Sequence, residues 1–265
     1  MNNIVNKDNL FCDEYRALIL LEYPNELKLV KSLIELTASA VEKTVPTNTW
    51  SHEGICHMFA KSIADYLKMS YDNLQLGHFY ATQMIFRTIV ENIVCMDVII
   101  RHPEHELWKY YLVQSYRSTL KSTGGTKEHD EKFFDEIYKE HNIEVEFLEK
   151  TKKNNSSRPY AYIDRDYGWT YKVNSNFTFA GMCDLIDERE YKDFKYMSMY
   201  AHGTSIHLKI SGFATMDNMM NILSFYYYSL NRLVAICCTK TIDPEFFKAI
   251  VKLEKIITKY IKECK

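Results

Sequence analysis

The feature that most constrains the fold is a long apolar stretch at helical spacing, from about Asn73 to Arg101. Its apolar side chains cover nearly the whole circumference of a helix, and such a helix normally lies at the centre of a domain. Asp97 interrupts its most apolar part, and Arg87 and Glu91 flank that part, so the stretch is too short and too charged to span a bilayer. We therefore expect a multi-helix bundle with a central buried helix and no membrane contact.

Residues that break helices are scarce, with 8 glycines and 5 prolines in 265 residues. A strand-rich fold of this length would need many turns, so the scarcity favours long helices. The sequence therefore predicts an all-α fold, and we expect residues 1–265 to form a single helical domain.

Capping residues and breakers place the ends of the predicted helices. Ser51 and Asp243 are suited to cap a helix, because short polar side chains accept hydrogen bonds from the first backbone amides. Pro103 is expected to open a helix directly. The predicted helices run over about Asn9–Glu22, Pro24–Lys43, Ser51–Met69, Asn73–Arg101, Pro103–Ser122, Lys127–Lys153, Thr178–Asp187, Arg189–Leu208, Thr215–Thr239 and Pro244–Lys262.

Charge and cysteine usage limit the function classes. The chain has 33 basic and 35 acidic residues, so no global positive field exists to attract nucleic acid or an anionic membrane. Its 7 cysteines are odd in number and form no C-x-x-C motif, and several lie in apolar helical patterns, which is typical of free thiols in a reducing compartment. The first residues have no apolar core of signal-peptide type, so we expect a cytoplasmic protein.

Arg87 and Glu91 are the first candidate functional residues. They lie four residues apart on the face of the apolar helix that also carries Tyr80. Charged groups on such a face are costly unless they are paired or used. One interpretation is a structural ion pair that ties down a neighbouring helix. The other is a guanidinium that Glu91 holds and aims at an anion such as a phosphate.

Ser198 and His202 are also four residues apart, and Tyr191 lies on the same predicted helix face. A histidine with a hydroxyl one turn away can act as a general acid or base. Alternatively, the pair is a satisfied polar contact between helices. Gly203 beside His202 allows close approach of a backbone or a ligand.

The irregular segment from Asn154 to Asn176 is long enough to be functional. It contains several aromatic residues, and we expect Trp169 in particular to pack against the body of the protein. Tyr80, Tyr191 and Trp169 are the candidates for ligand contacts.

Metal, nucleotide and hydrolase motifs are missing from the sequence. Neither an H-E-x-x-H pattern nor a Cys/His zinc set is present, and His102 and His105 simply lie at a predicted helix start. Phosphate-binding glycine loops and the G-x-S-x-G elbow are also missing. We therefore expect no metal and no cofactor.

The order of these motifs resembles that of a bacterial helical family of unknown function. The segment Arg87-Thr-Ile-Val-Glu91 is similar to that family's Arg-x-x-x-Glu helix. In the family a long insertion with a tryptophan follows, here Trp169, then a short helix, here Thr178–Asp187. A segment of the form Tyr-x-x-x-(Tyr)-x-x-x-Ser-x-x-x-His comes next. The resemblance covers about residues 73–208.

In this chain the last segment is represented by Tyr191, Phe194, Ser198 and His202. Phe194 departs from the family pattern, which has a tyrosine there, so no hydroxyl acts at that position. The resemblance implies an all-helical fold in which Arg87 joins Glu91 and the Ser-x-x-x-His residues in one interior polar site. It implies no established activity.

A more distant similarity is to the HEPN superfamily of helical nucleotide-binding proteins, whose active members are metal-independent ribonucleases of toxin and phage-defence systems. Their Arg-x4–6-His signature is missing, since Arg189 is thirteen residues before His202. In this analogy the arginine comes from another helix, with Arg87 the best candidate.

Two hypotheses follow. In one, the chain is a defence-associated binding module for a nucleotide, RNA or another small anionic ligand. In the other, it is a ribonuclease in which His202 acts as general acid or base, Arg87 stabilises phosphoryl charge and Glu91 orients Arg87. A homo-oligomer is compatible with both.

Overall fold

The computed structural model of the protein describes residues 12–122, 139, 166–174, 177–186, 192, 194–195 and 216–263, and most of these residues are helical. No strand occurs in these ranges, which confirms the predicted all-α fold. None of the helices there is long and apolar enough to cross a membrane. The α-helices are α1 (Cys12–Glu22), α2 (Pro24–Glu42), α3 (His52–Gln75), α4 (Phe79–Arg101), α5 (Leu107–Ser122), α6 (Phe179–Asp184), α7 (Met216–Leu233) and α8 (Pro244–Glu263). Short 3-10 turns lie at Pro103–His105 and Gly168–Thr170, and a π-helical turn at Val234–Cys238 extends α7.

The second half of α4 is almost fully buried, as predicted from its apolar circumference. Every residue from Ile93 to Ile99 is buried, including Asp97, and Phe86 is fully enclosed earlier in the helix. Seven consecutive buried positions span about two turns, so both sides of α4 are covered there. Asp97 is tolerated in this run because its Oδ1 accepts a hydrogen bond from Arg101 Nε at 3.1 Å, one turn later.

The described residues fall into two compact units. The first unit comprises the described residues within Met1–Val45, His57–Ile93 and Lys192–Lys265. The second unit comprises those within Pro46–Cys56 and Val94–Tyr191. The expectation that residues 1–265 form one domain stays a prediction.

In the first unit, α2, α7 and α8 pack against one another and bury one apolar stripe each. Thr241, just after the π-helical turn, donates a hydrogen bond from Oγ1 to the carbonyl of Ala40 in α2 at 3.1 Å. Phe86 of α4 meets Tyr226 of α7 edge to face, with ring centroids 4.8 Å apart. The Tyr226 hydroxyl lies 2.9 Å from Ser70 Oγ of α3, and both residues are completely buried.

The caps predicted at both helix starts are confirmed. Ser51 Oγ accepts a hydrogen bond from the backbone amide of Gly54 at 3.0 Å, and Asp243 Oδ1 accepts one from Glu245 at 2.8 Å. Each cap satisfies one of the orphan amides of a first turn.

The predicted boundary between α3 and α4 was wrong. Helix α3 runs to Gln75 rather than Met69, because Ser70, Tyr71 and Leu74 continue its buried face. It ends where Gly77 adopts a left-handed φ of 76°, with the amide of the next residue bonded to the Asn73 carbonyl at 2.9 Å. Helix α4 therefore begins at Phe79 and not at Asn73.

Pro103 opens only a 3-10 turn rather than the predicted long helix. Glu106 has a left-handed φ of 45°, which a continuing helix cannot accommodate, so α5 starts afresh at Leu107. The predicted helix Lys127–Lys153 lies outside the described residues except for Lys139. Of the predicted helix Arg189–Leu208, only residues 192, 194 and 195 are described, and all three are helical.

Candidate functional site

Arg87 and Glu91 lie one turn apart on α4 in the first unit, and both are half-buried. The sequence interpretation treated their helix as fully interior at this point. Partial exposure lowers the desolvation cost of both charges and leaves them in reach of solvent.

The guanidinium of Arg87 lies over the ring of Phe194, with its central carbon 4.8 Å from the ring centroid. This is a cation–π contact, which is strongest where water is partly excluded, and Phe194 is itself half-buried. The contact connects α4 with the segment that leads to Ser198. Phe194 lacks the hydroxyl that the family pattern has at this position, but a cation–π contact needs only its aromatic face.

The remaining members of the predicted cluster are not described. Ser198, His202 and Tyr191 lie outside the described residues, and so does the side chain of Tyr80. The four-residue cluster therefore stays a prediction.

Trp169 belongs to the second unit, and its predicted burial is confirmed. It is 2% exposed and packs edge to face on Tyr111 of α5, with ring centroids 5.4 Å apart. Gln114 of α5 holds the 3-10 turn at Gly168–Thr170 in place. Its Oε1 accepts a hydrogen bond from the Trp169 backbone amide at 2.9 Å, and its Nε2 donates one to the carbonyl of Asp166. A side chain so enclosed has a structural task here, and its assignment as a ligand contact stays a prediction.

A polar groove in the first unit was not predicted. It lies between α2 and α3 and encloses about 590 Å³. Its charged lining mixes both signs, with two lysines among four carboxylates, so it offers no positive field that would select an anion. The charged residues of the groove are Lys31, Glu35, Glu42, Asp65, Lys68 and Asp72. In the sequence the groove shows only as i, i+4 pairs of opposite charge such as Lys31–Glu35, and such pairs are usual on solvated helices.

One group of possible metal ligands occurs in the described residues. His102, Glu104 and His105 each present one ligand atom, all within 4.8 Å of one another, at the turn that connects α4 and α5. Both histidines are visible in the sequence at a predicted helix start, but the carboxylate between them was not predicted as a ligand.

Five cysteines of the described residues are free thiols, in agreement with the sequence-based prediction: Cys56, Cys95, Cys183, Cys237 and Cys238. Burial raises the pKa of Cys56 to about 12, with a smaller contribution from the nearby Glu53 carboxylate. Burial also raises the pKa of Cys238 to about 11. These thiols are held protonated at neutral pH, so neither is an activated nucleophile.

Fold and site together define an all-helical protein with an arginine–aromatic contact at its candidate site. The chain belongs to DUF5677, a family of unknown function, whose model matches residues 52–218, well over half of its length. The match covers both Arg87 and the segment with Phe194. Neither a curated protein nor a solved structure matches the chain significantly.

Proposed function

We propose that the chain is a binding module for a small phosphate-bearing ligand, with Arg87 as the group that receives the phosphate. The observation that carries the proposal is the position of the Arg87 guanidinium over Phe194. A cation–π contact does not use up the N–H donors of the guanidinium, so an anion or Glu91 can accept hydrogen bonds from them.

Half-burial favours binding over a purely structural ion pair. A guanidinium in a sealed interior serves only its neighbours, whereas Arg87 and Glu91 retain contact with solvent. Glu91 lies one turn away on the same helix, and by holding the guanidinium it would lower the entropy lost when a ligand binds.

Ser198 and His202 complete the proposed site. Phe194, Ser198 and His202 follow one another at intervals of four, so on the helix predicted from the sequence they share one face. Phe194 is the member that contacts Arg87, and this supports the proposal that the hydroxyl and the imidazole on the same predicted face would point towards the phosphate. There they would donate or accept hydrogen bonds to it.

Calorimetry with AMP and with inorganic phosphate tests the proposal. Arg87→Ala should abolish measurable binding, and Arg87→Lys should keep the charge but weaken binding by at least about tenfold, because lysine lacks the planar fork. The matched control is Arg16→Ala, which removes the same charge from an exposed position of α1 in the same unit. Equal affinity of Arg87→Ala and the wild type would refute the site.

A second candidate function is metal-independent RNA cleavage, and one observation favours it. The HEPN analogy requires an arginine from a helix other than that of the histidine, and Arg87 contacts the segment that precedes His202. His202 would take the proton of a ribose 2′-hydroxyl, whose oxygen attacks the phosphorus and expels the 5′-oxygen. Arg87 would stabilise the charge that develops on the phosphoryl oxygens. A role in defence would accompany this activity.

Cleavage of a fluorescent RNA oligonucleotide separates the two candidates. The ribonuclease predicts a 2′,3′-cyclic phosphate product, loss of activity in His202→Ala and no cleavage of the matching DNA. A binding module predicts AMP binding without any cleavage.

A further inference from the structure

We propose that His102, Glu104 and His105 form a binding site for a divalent transition-metal ion of the zinc class, at the turn between α4 and α5. The proposal rests on the second unit alone and is independent of the phosphate site. It departs from the sequence-based expectation of no metal.

The distances already approach those of a coordination shell. Glu104 Oε1 lies 3.6 Å from His102 Nδ1 and 3.3 Å from His105 Nε2. Ligands at about 2.1 Å from a tetrahedral zinc ion are separated by about 3.4 Å. Two of the three distances between ligand atoms are therefore already close to this value. The third, between the two nitrogens, is at most 4.8 Å and would need to shorten.

The backbone holds the three side chains together. Pro103 fixes its own φ, and the 3-10 turn is closed by the His105 amide on the His102 carbonyl at 3.2 Å. The neighbouring carboxylate of Glu106 is paired elsewhere, with Lys109 Nζ at 2.6 Å. The side chains of His102, Glu104 and His105 are 25%, 59% and 38% exposed, so small rotations can close the remaining edge without moving the core.

The donor set determines the ion. Two imidazoles and one carboxylate suit zinc, and also cobalt or nickel, better than magnesium or calcium, which prefer oxygen. Three ligands leave one position for water or for a group from another molecule.

Cobalt(II) titration of the full reduced chain tests the site, with the absorption spectrum and calorimetry as readouts. We expect one equivalent to bind without a thiolate-to-cobalt charge-transfer band. His102→Gln, Glu104→Gln and His105→Gln should each weaken binding by at least about tenfold. The control is His78→Gln, an exposed histidine outside the cluster, which should bind as the wild type does.

Zinc gives an independent readout, since a ligand that binds only the native state raises the melting temperature. We expect that rise in the wild type and in His78→Gln but not in the three ligand variants. Three outcomes would overturn the proposal: no binding, binding that survives all three substitutions, or a thiolate band that assigns the ion to the cysteines.

Discussion

The buried contact between Ser70 and Tyr226 predicts that Tyr226→Phe destabilises the wild-type protein but stabilises the Ser70→Ala variant. Ser70 Oγ donates its only proton to the Leu67 carbonyl at 2.7 Å, so the Tyr226 hydroxyl must be the donor in the 2.9 Å contact with Ser70 Oγ. Burial raises the pKa of Tyr226 well above its usual range, which keeps that proton in place. Removing one partner therefore has a different cost from removing the other.

Tyr226→Phe removes a donor and leaves Ser70 with its bond to the backbone, which should lower the free energy of unfolding by about 1 kcal/mol. Ser70→Ala instead leaves the fully buried Tyr226 hydroxyl unpaired, at a cost of roughly 1–3 kcal/mol. The higher helix propensity of alanine offsets about 0.5 kcal/mol of this. In the Ser70→Ala background, Tyr226→Phe removes the orphaned hydroxyl and should raise stability by roughly 1 kcal/mol.

Urea unfolding of the wild type, the two single variants and the double variant measures these free energies. The dependence of the free energy of unfolding on urea concentration should be the same for all four, which confirms that they unfold in the same way. Tyr227→Phe, one position along α7 and half-exposed, should have the same small effect in both backgrounds. A Tyr226→Phe substitution that destabilises both backgrounds equally would refute the assigned hydrogen-bond direction.

Three further predictions concern other parts of the fold. Gly54→Ala should destabilise by about 1–3 kcal/mol in urea unfolding, because its new methyl group would collide with the backbone carbonyl of Thr49; wild-type stability would contradict this. Cys56 and Cys238 should resist iodoacetamide in the native protein and react on unfolding, as peptide mapping by mass spectrometry would show; rapid native labelling would contradict their burial. Burial, with a smaller effect of nearby Lys61, lowers the pKa of His57. Its contribution to stability is therefore complete above the unfolded pKa and is lost as the pH falls through the folded value, so His57→Gln should flatten that part of the stability–pH curve.

The fold was predictable because its signals are local. The apolar circumference of α4 and the caps at Ser51 and Asp243 depend on residues within one or two turns. The wrong boundaries occur where a backbone angle decides the outcome. Gly77 offered a visible signal for the end of α3, but nothing in the sequence marks Glu106 as left-handed.

The candidate site was only partly predictable, because its contacts join distant segments. The i, i+4 spacing of Arg87 and Glu91 shows that they share a face, but not that Phe194 lies against that face. In the sequence, Phe194 is only a position where the family's tyrosine hydroxyl is missing. Its cation–π contact requires Arg87, which lies 107 positions earlier in the chain. Glu104 was missed for a different reason. A carboxylate beside a proline is common, and only the distances to its two histidines distinguish it.

The most direct test of the central claim, that Arg87 and His202 receive the same phosphate, follows the imidazole of His202 by NMR. A long-range proton–nitrogen correlation spectrum of the full chain is recorded while AMP is added. The account predicts that the His202 resonances shift in the wild type and in Arg16→Ala, but not in Arg87→Ala. Resonances that stay fixed in the wild type, or that shift equally in Arg87→Ala, would contradict it.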